Sequence, residues 1–448
     1  MIDRDPLLTD LYQLTMLQGY YQQRMEGVAV FELFVRRLPA KRGFLLAAGL
    51  EQAIDYLQHL SFSSADLDWL QGTGFFKTAF LQHLEQFRFT GDVHAMPEGT
   101  VFFPNEPILR ITAPIAEAQF VESRLINILH FQTVIASKAA RSVLTAPDKT
   151  LIEFGFRRAH GGEAGLLAAR ACYLAGFSGT ATVSAGRHFG IPMFGTMAHS
   201  FVQAQRIEGD AFEHFALANP GNVVLLIDTY DTEAGAHKAV ELAPKLAALG
   251  IPIKGVRLDS GDLAFHARNV RGILDAAGLV DTAIFASGNI DEYSLEKLIL
   301  ERAPIDGFGI GTHLDTSEDA PYLDCAYKLQ EYAGIARRKR SEGKATWPGV
   351  KQVYRRLDAE GLLVGDTVTL ADAPCTGRPL LQAIVQGGER IEPLPSLEQI
   401  RAYAKEQLNH LPENLRALHK VHAYSVRISA ELRGLTKSMD DSRSGYTG

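Results

Sequence analysis

The 448 residues carry 45 Lys and Arg against 52 Asp and Glu, a net charge of −7 that argues against bulk nucleic-acid binding while leaving room for a local basic pocket. Hydrophobic residues are 46% and charged residues 22%, the balance of a soluble globular protein with chain enough for a large core, and no apolar run is long enough to span a membrane. Cys172, Cys325 and Cys375 lie far apart with neither CxxC nor zinc spacing, so they read as reduced thiols of a cytoplasmic protein. The opening "MIDRDPLLTDLYQ" lacks the basic-then-apolar pattern of a signal peptide.

Length alone suggests about three domains, or fewer if one is a barrel. In chain order, "LLTDLYQLTMLQGYY" reads as a helix, and Asp10 with Gln13 fits a capping box at its start. "VAVFELFVRR", set off by Gly27, is rich in β-branched and aromatic residues. "FLLAAGLEQAIDYLQHL" has helical spacing, and "VESRLINILHFQTVIASKAARSVLTA" is a long helix with Val121, Leu125, Ile128 and Leu129 on one stripe.

From about 149 to 330 the pattern becomes a regular alternation. Short apolar strands are expected at "TLIEFGF", "PMFGTMA", "VVLLIDTY", "IKGVRLDS", "AIFASGN" and "DGFGIGT", with helices such as "TEAGAHKAVELAPKLAALG" and "DEYSLEKLILERA" between them. Continuous apolar strands alternating with amphipathic helices give a parallel sheet covered by helices, and this number of units favours closure into a barrel. No GxGxxG opens the first unit, which argues against a dinucleotide fold. Beyond 330, "KQVYRRLDAEGLLVGDTVTL" reads as a hairpin around Asp358 to Gly361, "SLEQIRAYAKEQLNHL" as a helix, and "TKSMDDSRSGYTG" as a frayed tail.

The strand ends carry the polar residues. "TLIEFGF" ends in Arg157 and Arg158, "VVLLIDTY" in Asp228 and Asp231, "IKGVRLDSGD" in Arg257, Asp259, Ser260, Gly261 and Asp262, "AIFASGNID" in Ser287, Gly288 and Asn289, and "DGFGIGTH" in Gly309, Gly311, Thr312 and His313. In a parallel barrel these ends share one face. Two glycine turns from late strands form a cradle of backbone N–H groups, and arginine adds bidentate recognition of phosphate or carboxylate. The expected ligand is a phosphorylated anion, with Mg²⁺ as a companion. His199 in "GTMAHSFVQ" stands at a strand-to-helix junction on this face, either as chemistry or as a core or capping histidine.

Five segments, "LLTDLYQLTM", "EFGFRRAHG", "GTMAHSFVQA", "GVRLDSGDL" and "FGIGTHL", occur in the order seen in nicotinate phosphoribosyltransferases. The chain resembles that family from about residue 7 to about 354, including "RKRSEGKATWPGVKQVYR", and more loosely beyond 360. The resemblance implies transfer of phosphoribose from phosphoribosyl pyrophosphate to nicotinate, giving nicotinate mononucleotide and pyrophosphate, with coupled ATP hydrolysis and Mg²⁺. It also implies a type II phosphoribosyltransferase fold. An irregular parallel α/β (TIM-like) barrel over 149–330 would pack against a smaller α+β domain built from both chain ends, 1–148 and 331–448. A homodimer with sites at its interface is expected.

By the same resemblance His199 is the histidine phosphorylated by ATP, which suits a neutral imidazole nucleophile. Thr196 would contact nicotinate, and Arg257 the nicotinate carboxylate or the adjoining phosphoribosyl group. Tyr12 would stack on the pyridine ring from the neighbouring subunit, its alternative being a core aromatic on the first helix, with Phe154 on the opposite face or equally in the core. Arg157 resembles a phosphate-binding arginine and Asp259 a ribose or metal-side carboxylate. Gly288, Gly311 and Thr312 match the phosphate turns. Metal ligands stay unassigned, and Asp10 stays open between cap and site. The basic run "RRKRSEGK" reads as a solvated hairpin. Ala181 in "SGTATVSA" stands where relatives that use nicotinamide carry an Asp, which favours a carboxylate substrate; a dicarboxylate such as quinolinate calls for more basic residues. Two other classes are a sugar-phosphate aldolase using Lys254, disfavoured because Lys254 sits early in its strand, and a non-catalytic nucleotide-binding protein.

Overall fold

The computed structural model describes residues 4–419 and 422–444. The chain divides into two compact units, Lys138–Pro321 and Met1–Ser137 with Tyr322–Gly448; they are called here the middle unit and the terminal unit.

The middle unit is built on a six-stranded parallel sheet in the order Gly179–Thr180, Thr150–Glu153, Gly307–Ile310, Ala283–Ala286, Gly255–Leu258, Val224–Leu226. Its strands are short because their apolar runs are short, and Leu151, Ile152, Leu225, Val256, Leu258, Ile284, Phe308 and Ile310 are buried, as a sheet covered on both faces requires. Three helices start directly after strands: Thr232–Ala247, Leu263–Ala276 and Glu292–Leu300. Each has a carboxylate cap. Asp231 accepts from Ala234 N, Asp262 from Phe265 N, and Asp291 forms a capping box with Ser294.

The expected barrel closure is not met. Gly179–Thr180 and Val224–Leu226 are the two edges of the sheet, and among the described residues no strand joins them. The cause lies in the segment between. "PMFGTMA" gives a single bridge, Thr180 to Met193, instead of a strand. Pro192 has no N–H to donate, so the contact consists of Thr180 N to Pro192 O at 3.0 Å and Phe194 N to Thr180 O at 2.9 Å. The chain then leaves the sheet into the helices His199–Gln203 and Glu208–Ala218.

The terminal unit joins both ends of the chain through one sheet. Val28–Val35 lies between Pro107–Pro114 and Cys325–Tyr332, antiparallel to both. The hairpin expected around Asp358 to Gly361 is present: Lys351–Leu357 pairs with Leu363–Leu370, the Asp358 carboxylate accepts from Glu360 N and Leu362 N, and Gly361 takes φ +81°. Three helix expectations change. "FLLAAGLEQAIDYLQHL" splits into the strand Leu45–Leu46 and the helix Leu50–His59, because Gly49 adopts a left-handed conformation (φ +101°) between them. The part of the tail that is described, 436–444, is not frayed: it belongs to the helix Ala430–Ser444, and Arg338 and Arg340 of the basic run both pair with its Asp440; the last four residues lie outside the described ones. The helix Leu11–Gln22 has no capping box, since Asp10 accepts from Ser123 Oγ at 2.6 Å while Gln13 is buried and donates to Glu122. The long helix is Glu122–Thr145, with Leu125, Ile128 and Leu129 buried. No described helix is long and apolar enough to cross a membrane.

A candidate active site in the middle unit

The strand ends of the middle unit enclose a polar cavity of about 570 Å³. Its wall takes Phe154, Arg157 and Arg158 from the turn after Thr150–Glu153, Asp259 and Ser260 from the end of Gly255–Leu258, and the turns around Gly288 and Gly311. The glycines are demanded by packing. Gly288 has φ +96°, and a Cβ there would overlap the Asp259 carbonyl oxygen; a Cβ at Gly311 would lie 2.8 Å from the Phe154 carbonyl oxygen. The turns therefore meet backbone to backbone, which leaves amide groups rather than side chains to face a ligand. Hydrogen bonds fix them. Ser287 Oγ donates to Asp259 Oδ1 at 2.5 Å, and Arg158 Nη1 to Thr312 Oγ1 at 2.7 Å. The Asp228 side chain, 1% exposed, accepts from Asp259 N at 2.8 Å and Ser260 Oγ at 2.7 Å.

Beside this cavity lies a narrow apolar slot of about 40 Å³ between Phe154, Phe194 and Phe285, closed by Thr196, Asn222 and Arg257. Phe154 and Gly309 belong to both walls, so the aromatic ring of Phe154 is half-buried at the partition and is not a pure core residue. Arg257 donates from Nη1 to Thr196 Oγ1 at 2.7 Å and from Nη2 to Met197 O at 3.2 Å, while its buried Nε has no partner. Burial lowers the guanidinium pKa and Asp259 and Asp228 pull it back up; an arginine stays cationic under such a shift. A half-buried guanidinium at the end of an aromatic slot is chemically suited to pair with a planar carboxylate.

His199 opens its helix rather than capping it, and its side chain is 38% exposed, so it is neither core nor cap. Nδ1 lies 3.2 Å from Thr229 Oγ1, and Nε2 lies 3.7 Å from Asp259 Oδ2 and 4.0 Å from Asp228 Oδ1. That Asp228 oxygen has no hydrogen-bond partner. Among the described residues no three or more His, Cys, Asp or Glu side chains converge as a metal cage.

Of the residues expected from sequence, Phe154, Arg157, Asp259, Gly288, Gly311 and Thr312 line the cavity, and Thr196 and Arg257 the slot. Tyr12 belongs to the terminal unit and lines neither; its hydroxyl donates to Glu122 at 3.3 Å, and burial and Glu122 raise its pKa. Asp231 and Asp262 are helix caps, and His313 pairs with Glu318. Ala181 is exposed and lines neither space. Lys254 lies ahead of its strand, exposed and bonded to the Gly221 carbonyl, which removes the aldolase reading's Schiff-base lysine from the site. Sequence reasoning missed Phe194, Asn222 and Phe285 of the slot. Phe285 reads as core within its strand, whereas Asn222, a polar residue immediately before an apolar run, was a usable signal.

The family model described as "Nicotinate phosphoribosyltransferase (NAPRTase) family" matches residues 150–334, and the corresponding N-terminal and C-terminal domain models match 7–130 and 372–436. The chain is 47% identical over 430 residues to the nicotinate phosphoribosyltransferase pncB2 of Mycobacterium tuberculosis, covering 96% of this chain and 92% of that one. The chain belongs to the nicotinate phosphoribosyltransferase family. It is also 36% identical to the nicotinate phosphoribosyltransferase of Bacillus subtilis, over 95% of this chain and 93% of that one. The crystal structure of human nicotinic acid phosphoribosyltransferase superposes with a TM-score of 0.87 at 32% identity, covering 96% of this chain and 100% of that one.

Proposed function

We propose that this protein transfers phosphoribose from phosphoribosyl pyrophosphate to nicotinate, forming nicotinate mononucleotide and pyrophosphate in NAD salvage. The observation that carries this reading is the shared wall: Phe154 and Gly309 separate a polar cavity with glycine turns and arginines from an aromatic slot ending in Arg257. A phosphorylated sugar suits the first and a flat aromatic acid the second. The nicotinate ring nitrogen attacks the anomeric carbon as the bond to pyrophosphate breaks. Arg257 and Phe154 hold the ring, and Arg157, Arg158 and the turn amides hold the anion, so much of the acceleration comes from alignment and charge stabilisation.

Mg²⁺ fits the donor set. Asp259 and Asp228 are hard oxygen donors, and one Asp228 oxygen is buried without a partner. Two carboxylates with the remaining ligands from water and substrate phosphate is the usual habit of this ion. It would offset the charge of the pyrophosphate group. ATP is the proposed co-substrate of His199. With the Nδ1 proton donated to Thr229, the Nε2 lone pair takes the γ-phosphoryl group as its bond to ADP breaks, and later hydrolysis returns inorganic phosphate. Tyr12 is half-exposed beside the equally exposed Leu8 and Leu11, an apolar patch that supports docking of a second copy in a homodimer. Three free thiols support a reducing, cytoplasmic location.

The test is product analysis. Protein supplied with nicotinate, phosphoribosyl pyrophosphate and Mg-ATP should release pyrophosphate and nicotinate mononucleotide in equal amounts. Failure to form either overturns the reading.

A further inference from the structure

Two buried carboxyls lie beneath the turns of the cavity and have no part in the proposed chemistry. Glu153 ends the strand Thr150–Glu153, and Asp315 closes the helical turn Thr312–Asp315. Their exposures are 0% and 1%, and among the described residues neither has an ion-pair partner. Glu153 accepts from Gly155 N and Thr180 Oγ1 in short bonds and from Thr182 Oγ1 at 3.3 Å. Asp315 receives no donor on either oxygen, and its carboxyl lies so close to Gly155 that a Cβ there would overlap it. Gly155 touches both carboxyls, since its N–H donates to Glu153 and its Cβ position falls on Asp315, and Glu153 is the electrostatic neighbour of Asp315. The other ionisable group facing both is the Cys172 thiol of the helix Gly162–Ala175, which burial and the two carboxyls hold neutral. The nearby cations are engaged or turned outward: Arg157 and Arg158 are exposed, Arg170 lies over Phe189, and His313 pairs with Glu318.

Two carboxylates at this depth without a cation cannot both ionise. Three donors favour the anionic form on Glu153, and none favours it on Asp315. We propose that Glu153 and Asp315 share one proton, with Asp315 holding it and donating to Glu153, and that this clasp positions the two turns that carry Arg157, Arg158, Gly311 and Thr312 into the anion cavity. The Arg158 to Thr312 bond ties the same two turns at the cavity surface. Burial raises the pKa of both groups, and the neighbouring Glu153 adds to the rise at Asp315, which stands well above the ordinary carboxyl range. Loss of the proton leaves two buried anions that push the turns apart, so affinity for the phosphorylated substrate falls as pH rises.

The clasp rests on the two buried carboxyls meeting at Gly155; its effect on substrate rests on the proposed function. In the wild type, KM for phosphoribosyl pyrophosphate should rise at alkaline pH by roughly tenfold per unit once the pair titrates, with kcat changing less. Asp315→Asn offers Glu153 an amide donor that no pH removes, so it should keep the neutral KM within about twofold and lose the alkaline rise. Asp315→Leu removes the donor and should raise KM at every pH. A readout without substrate separates the two ideas: the infrared difference between wild type and Asp315→Asn at neutral pH should contain the carbonyl band of a protonated carboxyl. If Asp315→Asn does not fold, disappearance of that band on alkaline titration of the wild type decides the same point. Absence of the band, or an alkaline rise as steep in Asp315→Asn as in wild type, overturns the clasp. A band in a protein that releases no pyrophosphate overturns the reaction instead and leaves the clasp standing.

Discussion

In the proposed reaction Arg257 carries the recognition of the carboxylate. It lines the slot half-buried, bonds Thr196 and the Met197 carbonyl, and leaves its Nε without a partner. Arg257→Ala should lower kcat/KM for nicotinate by on the order of 100-fold, about 3 kcal/mol for a lost charge-assisted bond, and Arg257→Lys should not restore it because an ammonium lacks the planar fork. Steady-state kinetics with nicotinate as the varied substrate check this. His199→Asn cannot form a phosphoramidate, while the cavity and Arg257 are untouched. It should keep basal transfer, lose ATP stimulation and lose the acid-labile label from γ-labelled ATP; full stimulation by ATP would return His199 to a structural role. At this scale the sequence was most informative where a residue type had few structural uses. A histidine between a glycine-rich segment and a helix, or an arginine ending an apolar strand, pointed to the site. Phe285, an aromatic within an apolar strand, did not, because a slot wall and a core position have the same composition.

At the scale of elements, the strand ends blurred two roles. In a βα unit the C-terminal end of a strand is also the start of a helix, so Asp228, Asp231, Asp259 and Asp262 carry the same pattern. Only geometry separates them: Asp231 and Asp262 accept helix N–H groups, while Asp228 and Asp259 face His199. Asp231→Ala should therefore lower stability by about 1 kcal/mol with kcat/KM unchanged, as a lost cap does, whereas Asp259→Asn should abolish most activity with little change in melting temperature. Equal loss of activity in both would contradict the division. The parallel strands were legible from their apolar runs, but closure was not. Counting βα units cannot reveal that Pro192 limits "PMFGTMA" to one bridge. The Glu153 and Asp315 turns add a stability effect with a definite sign. A carboxyl whose folded pKa lies above its unfolded value stabilises the fold at low pH, and that contribution is lost as pH rises through the raised value. The melting temperature of wild type should thus fall toward alkaline pH more steeply than that of Asp315→Asn.

For the whole molecule, a unit built from both chain ends was expected from the family resemblance rather than from local composition: Val28–Val35 was readable as a strand, but Cys325–Tyr332, which pairs with it, fell within the stretch assigned to the barrel, and its pairing depends on register that no local pattern specifies. The proposed dimer places the half-exposed Tyr12 of one copy at the site of the other. Tyr12→Ala and Arg257→Ala chains should each be nearly inactive alone and recover partial activity after subunit exchange, because one hybrid site keeps both wild-type residues; no recovery after verified exchange would place both functions within one chain. The central claim is that an aromatic slot ending in Arg257 delivers a pyridine carboxylate to an anomeric carbon held in the neighbouring anion cavity. The ratio of kcat/KM for nicotinate to that for nicotinamide, measured by pyrophosphate release with saturating phosphoribosyl pyrophosphate, tests it most directly. The guanidinium at the slot end should make nicotinate the better substrate by at least roughly 100-fold, and equal kcat/KM for the two bases would contradict the account.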